Sequence, residues 1–119
     1  MSGLLLSDDL MFISRIRGTA QDLGLDVKSA RSADLLLEMA KRQRPACVLV
    51  DLANPGLAIE DLVRRLRGEG PPPFVVAYGS HVDTATLRRA REAGCDRVMP
   101  RSQFVEELPE HLAQWAAER

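Results

Sequence analysis

Asp8 and Asp9 follow a short apolar run, and Asp51 ends another, Cys47-Val48-Leu49-Val50. Acids that converge on a few ångströms repel one another. Such a cluster persists most readily around a hard divalent cation, and Mg²⁺ is the natural candidate. The simpler reading of an acid after a strand is a helix N-cap, because a carboxylate suits the positive end of a helix, and Asp8 or Asp9 alone would serve as one. Asp51 differs, since an acid at the end of a buried strand needs a partner or a function. Whether the three meet depends on the elements that bring them there.

Short apolar runs alternate with longer segments of helical period, which is the pattern of a parallel sheet covered by helices. The runs are Leu4-Leu5-Leu6, Leu25-Asp26-Val27, Ala46 to Val50, Phe74 to Tyr78, and Arg97-Val98-Met99. The third and fourth are nearly free of polar residues, as central strands are, whereas the second reads as an edge. Between them lie apolar stripes at spacings of three and four. These are Phe12, Ile13, Ile16, Ala20 and Leu23; Leu35, Leu36, Met39 and Ala40; Ile59, Leu62, Val63 and Leu66; Leu87, Ala90 and Ala93; and Phe104, Leu108, Leu112 and Trp115. Ser32, Asp83 and Ser102 are placed to cap helix N-termini, and Gly24 and Gly94 to end helices in a left-handed conformation. Pro71, Pro72 and Pro73 close the third helix and lead into the fourth strand.

The expected fold is therefore one α/β domain over residues 1–119, a flavodoxin-like (βα)₅ three-layer sandwich. Right-handed crossovers give its parallel five-stranded sheet the order 2-1-3-4-5. The functional crevice of such a sheet lies beyond the carboxyl ends of the strands, where the order reverses between the first and third. Asp8, Asp9 and Asp51 all fall there.

Composition narrows the function. With 45% apolar and 28% charged residues the chain is globular. A formal net charge of −1 supplies no basic field for nucleic acid. No apolar run approaches the ~18 residues of a membrane span, and Asp8 and Asp9 come too early for a signal sequence, so a cytoplasmic protein without a membrane partner is expected. Cys47 and Cys95 have no metal-ligand spacing and read as reduced thiols. The arginines at 64, 65, 67, 88, 89 and 91 read as solvated helix faces.

The acidic pair after the first strand, the run Asp51-Leu52-Ala53-Asn54-Pro55-Gly56 after the third, and Ala93-Gly94-Cys95-Asp96 before the fifth occur in an order that resembles the receiver domain of two-component response regulators. The resemblance spans essentially the whole chain, as an atypical single-domain member. It implies that Asp51 is the phosphoacceptor, attacking a phosphoryl group delivered by a histidine kinase or phosphotransfer protein. It also implies Mg²⁺ held by Asp8, Asp9, Asp51 and the backbone carbonyl of Ala53. The output would be contact with a downstream protein, not enzymatic turnover. Trp115 would serve either the core or a homodimer interface.

The chain departs from the family at four places. The Thr or Ser that ends the family's fourth strand falls on Gly79, with the hydroxyl of Ser80 one residue on. The family's lysine after the fifth strand is matched by Arg101, a planar fork in place of a point charge, and the following proline by Ser102. The aromatic switch position falls on Val98, while Tyr78 and His81 lie near the same rim. These departures support an alternative, a degenerate pseudo-receiver that acts as a phosphorylation-independent interaction module. A third class, flavin or cobalamin binding, lacks its sequence features: Ser7-Asp8-Asp9 puts negative charge where a flavin phosphate would sit, and no Asp-x-His-x-x-Gly run exists.

Overall fold

The computed structural model describes residues 2–68 and 70–117. Five strands, β1 (Ser2–Leu6), β2 (Asp26–Ala30), β3 (Cys47–Asp51), β4 (Phe74–Gly79) and β5 (Arg97–Pro100), alternate with five helices. The helices are α1 (Leu10–Asp22), α2 (Ala33–Gln43), α3 (Ile59–Leu66), α4 (Thr84–Glu92) and α5 (Arg101–Ala117). All four strand pairings are parallel, in the order β2-β1-β3-β4-β5. This is the flavodoxin-like arrangement expected from the sequence, with β2 at one edge.

Successive strand residues point to opposite faces, so each central strand feeds two cores. Leu4, Leu6, Val48, Val50, Val75 and Ala77 pack with α2, α3 and α4. Leu5, Cys47, Leu49, Val76, Tyr78 and Met99 pack with α1 and α5. Trp115 is buried in this second cluster, which makes it a core residue. Register sets the strand ends level: Leu6 lies beside Val50, Asp51 beside Tyr78, and Tyr78 beside Met99.

Asp9, Ser32 and Asp83 cap α1, α2 and α4, each side chain accepting a backbone N–H at 3.1 to 3.2 Å. Gly24 and Gly94 take positive φ just beyond α1 and α4. Several details differ from the expectation. Ser102 caps nothing, because β5 runs directly into α5 at Arg101 and leaves Ser102 in the first turn. Helix α3 stops at Leu66, ahead of the three prolines, with Arg67 as its C-cap. The buried face of α2 is Leu36 and Leu37, with Leu35 exposed, since the sheet and not the local run selects the phase. Leu23 lies past the end of α1 and is exposed, and β2 begins at Asp26.

Candidate functional site

Alternation and register together bring four side chains to the carboxyl end of the sheet on its α1/α5 face. Asp51 is two residues beyond Leu49 and Ser7 two beyond Leu5, on that face; Arg101 opens α5 and reaches the Phe12 ring and Asp51 there, and Tyr78 is the strand partner of Asp51. Asp51 is only 2% exposed. Its Oδ2 accepts the Ser7 hydroxyl at 2.8 Å, and its Oδ1 accepts the Ala53 N–H at 3.0 Å. The Arg101 guanidinium stands 4.0 Å from Oδ1 and is 44% exposed, at the rim. Its planar head also lies over the Phe12 ring, 5.1 Å from the centroid. A buried carboxylate is tolerable because donors and a cation surround it.

Tyr78 is wholly buried between Phe12 and Phe104, with ring centroids at 5.1 and 4.3 Å. Burial first, and then the charge of Asp51, push its phenol well above the ordinary tyrosine range, while Ser7 and Arg101 pull the other way.

The remaining expected site residues are placed differently. Asp9 caps α1, its Oδ1 accepting the Phe12 N–H at 3.1 Å, and Asp8 is exposed. Among the described residues no three of His, Cys, Asp and Glu group to hold a metal. The expected trio of Asp8, Asp9 and Asp51 is therefore not assembled as one ligand set. The residue that meets Asp51 from the end of β1 is the neutral Ser7, and Ala53 meets it through its backbone N–H. Ser80 is exposed and its Oγ accepts the Val82 N–H at 3.4 Å, as part of a turn with no hydrogen bond to Asp51. Gly79 points to the other core, where an added Cβ would lie 3.4 Å from Leu52 and 3.5 Å from Leu87. Val98 packs on that same side and His81 is exposed.

Sequence reasoning missed Ser7 and the role of Phe12. The signal for Ser7 was available, since a count of two from a core-facing strand residue puts it on the face of Asp51. Phe12 reaches the site through α1 packing, which the sequence does not display.

This fold places Asp51, Ser7, Tyr78 and Arg101 together at the carboxyl end of a five-stranded doubly wound sheet. Residues 4–113 match the response regulator receiver domain, and the chain belongs to that family. Transcriptional activator protein ExaE of Pseudomonas putida is 32% identical over 97 residues, 77% of this chain and 44% of its own length. The chain thus spans less than half of that relative. The receiver domain of NtrX from Brucella abortus superposes with a TM-score of 0.83 at 19% identity, covering 98% of this chain and 99% of that one. A response regulator from Thermotoga maritima gives 0.80 at 17% identity, covering 98% of each. At these identities the likeness is one of fold. Receiver domains generally bind Mg²⁺ at the phosphorylation site and interact with histidine kinases and downstream effectors.

Proposed function

We propose that this receiver domain accepts a phosphoryl group on Asp51 within a two-component phosphorelay and signals by contact with another protein, without turning over a substrate. One observation carries the reading: Asp51, buried at the carboxyl end of β3, is oriented by Ser7 and Ala53, with Arg101 facing Oδ1. A carboxylate has about four lone-pair positions. Ser7 and Ala53 use one on each oxygen, which leaves Oδ1 a free pair on the Arg101 side. That oxygen attacks the phosphorus of a phosphohistidine or small acyl phosphate. The new O–P bond forms as the donor's P–N or P–O bond breaks, and the donor keeps the electron pair. Arg101 offsets charge on the phosphoryl oxygens.

The donor in this reading is a histidine kinase or phosphotransfer protein in the cytoplasm, and the recipient of the signal is a downstream protein. In keeping with that setting, no helix among the described residues is long and apolar enough to cross a membrane. Incubation with acetyl phosphate, with and without Mg²⁺, followed by intact mass, tests the reading. An added ~80 Da that is absent from Asp51→Ala supports it. A phosphorylation-independent module is the second reading, favoured by Gly79, which offers no hydroxyl. It predicts no adduct with or without Mg²⁺.

A further inference from the structure

A cavity of about 420 Å³ opens between the last turns of α2 and α3, at the amino ends of β3 and β4 and so at the opposite end of the sheet from Asp51. Its size is that of a small-ligand pocket. Leu37, Leu66 and Pro73, all buried, give it an apolar wall, and Lys41, Arg44, Arg64 and Arg65 line it with positive charge. Among the described residues no acid lines it. Cations suit helix C-termini, and that alone accounts for Lys41, Arg64 and Arg65. Arg44 is different. Among the described residues it is the one non-glycine with positive φ, 46°, a conformation that glycine adopts at lower cost. The cap bond of its N–H to Ala40 O, at 2.9 Å, would be made by any residue but proline, so the strain serves the side chain. That guanidinium lies against Gly70, where an added Cβ would stand 2.6 Å from Nη1, and Gly70 also has positive φ, 68°. Two special backbone positions thus hold one cation beside the cavity.

We propose that this cavity binds a nucleoside monophosphate, its phosphate held by Lys41 and Arg44 and its flat base laid against the apolar wall. Among the described residues neither Lys41 nor Arg44 has a carboxylate partner, whereas Arg64 and Arg65 share Asp61. The charge suits an anion. Setting Asp61, Glu69 of the adjoining sequence and two helix ends, at about half a charge each, against the four cations still leaves the cavity positive. A phosphate monoester is close to dianionic at neutral pH and takes the planar fork of an arginine through two oxygens. Inorganic phosphate would leave the apolar wall unused, and an uncharged ring would leave the cations unpaired. A ring that carries a phosphate uses both. The site shares no residue with the Asp51 pocket, and the proposal stands without the phosphoacceptor reading.

Titration calorimetry with AMP on the full chain tests this, beside adenosine and inorganic phosphate and with the variants Arg44→Gly, Lys41→Gln and Arg101→Ala. AMP should bind at one site with a Kd below ~1 mM, and adenosine and phosphate roughly tenfold more weakly or worse. Arg44→Gly should weaken AMP roughly tenfold, the worth of one hydrogen bond to a charged group, yet melt no lower than wild type, because glycine takes the positive φ without strain. Lys41→Gln, at an exposed position, should weaken AMP by a similar factor with its melting temperature unchanged. Arg101→Ala should bind AMP as wild type does. An Arg44→Gly protein that melts several degrees lower marks Arg44 as a packing residue, and Lys41→Gln then decides. No saturable AMP binding, phosphate or adenosine alone as tight as AMP, or unchanged affinity in both Arg44→Gly and Lys41→Gln overturns the proposal. Loss of AMP binding in Arg101→Ala overturns it too, since the nucleotide would then sit at the Asp51 end of the sheet.

Discussion

Replacing Ser7 by alanine is predicted to destabilise the domain through Asp51. Ser7 is wholly buried, Asp51 is 2% exposed, and their 2.8 Å hydrogen bond has a charged acceptor. Bonds of that kind contribute about 1.5–3 kcal/mol, and their loss leaves Oδ2 without a donor in a site closed to solvent. Arg101, 44% exposed and 4.0 Å from the other oxygen, recovers little of this because water screens it. Ser7 also accepts the Asp9 N–H at 3.1 Å, a smaller loss at a half-buried helix start. The expected cost is about 2–3 kcal/mol, or roughly 8–12 °C in melting temperature for a domain of this size. Urea unfolding followed by Trp115 emission measures it. In an Asp51→Ala background the same change should cost under about 0.5 kcal/mol, because the charged acceptor is gone. Equal costs in the two backgrounds, or a cost near zero in the wild type, would refute the assignment of Ser7 as the donor that holds Asp51.

Arg101→Ala should change stability by less than about 1 kcal/mol, because its contacts to Phe12 and Asp51 are at the rim, yet lower the yield of acyl phosphate adduct; unfolding and intact mass on the same sample separate the two effects. Gly3→Ala should destabilise by about 1–3 kcal/mol, since the new Cβ would lie 2.9 Å from Cys47 Sγ, and adding Cys47→Ala should recover part of the loss in urea unfolding. Burial pushes the Cys47 thiol from an ordinary 9.0 up to about 12. The folded chain therefore holds that proton over a range where the unfolded chain releases it, so stability is intact below about pH 9 and falls as pH rises toward 12. Cys47→Ala should flatten this slope in pH-dependent unfolding.

The parts of the fold legible in the sequence are those written in local pattern. The unbroken apolar runs Cys47 to Val50 and Phe74 to Tyr78 announce central strands, and Asp51 at the end of the first announces a site. Gly24 and Gly94 mark helix ends because few other residues take positive φ easily. What local pattern cannot give is phase and partnership. Leu35, Leu36 and Leu37 are equivalent in sequence, and only docking on the sheet decides that Leu35 faces water. A serine after a strand reads as a loop residue, and Ser7 becomes part of the site only through the register that sets β1 level with β3. The acids Asp8 and Asp9 were legible as a pair, but that Asp9 caps α1 while Asp8 is exposed depends on how the chain enters the helix. The Phe12, Tyr78, Phe104 and Trp115 stack draws on α1, β4 and α5 at once, so no window of sequence contains it.

The most direct test of the phosphoacceptor assignment is chemical trapping of the modified residue. After reaction with acetyl phosphate, borohydride reduces an aspartyl phosphate to homoserine, and peptide mass mapping locates the change. Homoserine at position 51, with every other aspartate intact, is the predicted result. Homoserine at another position with Asp51 unmodified, or no conversion in a sample whose intact mass shows the added phosphoryl group, would contradict it.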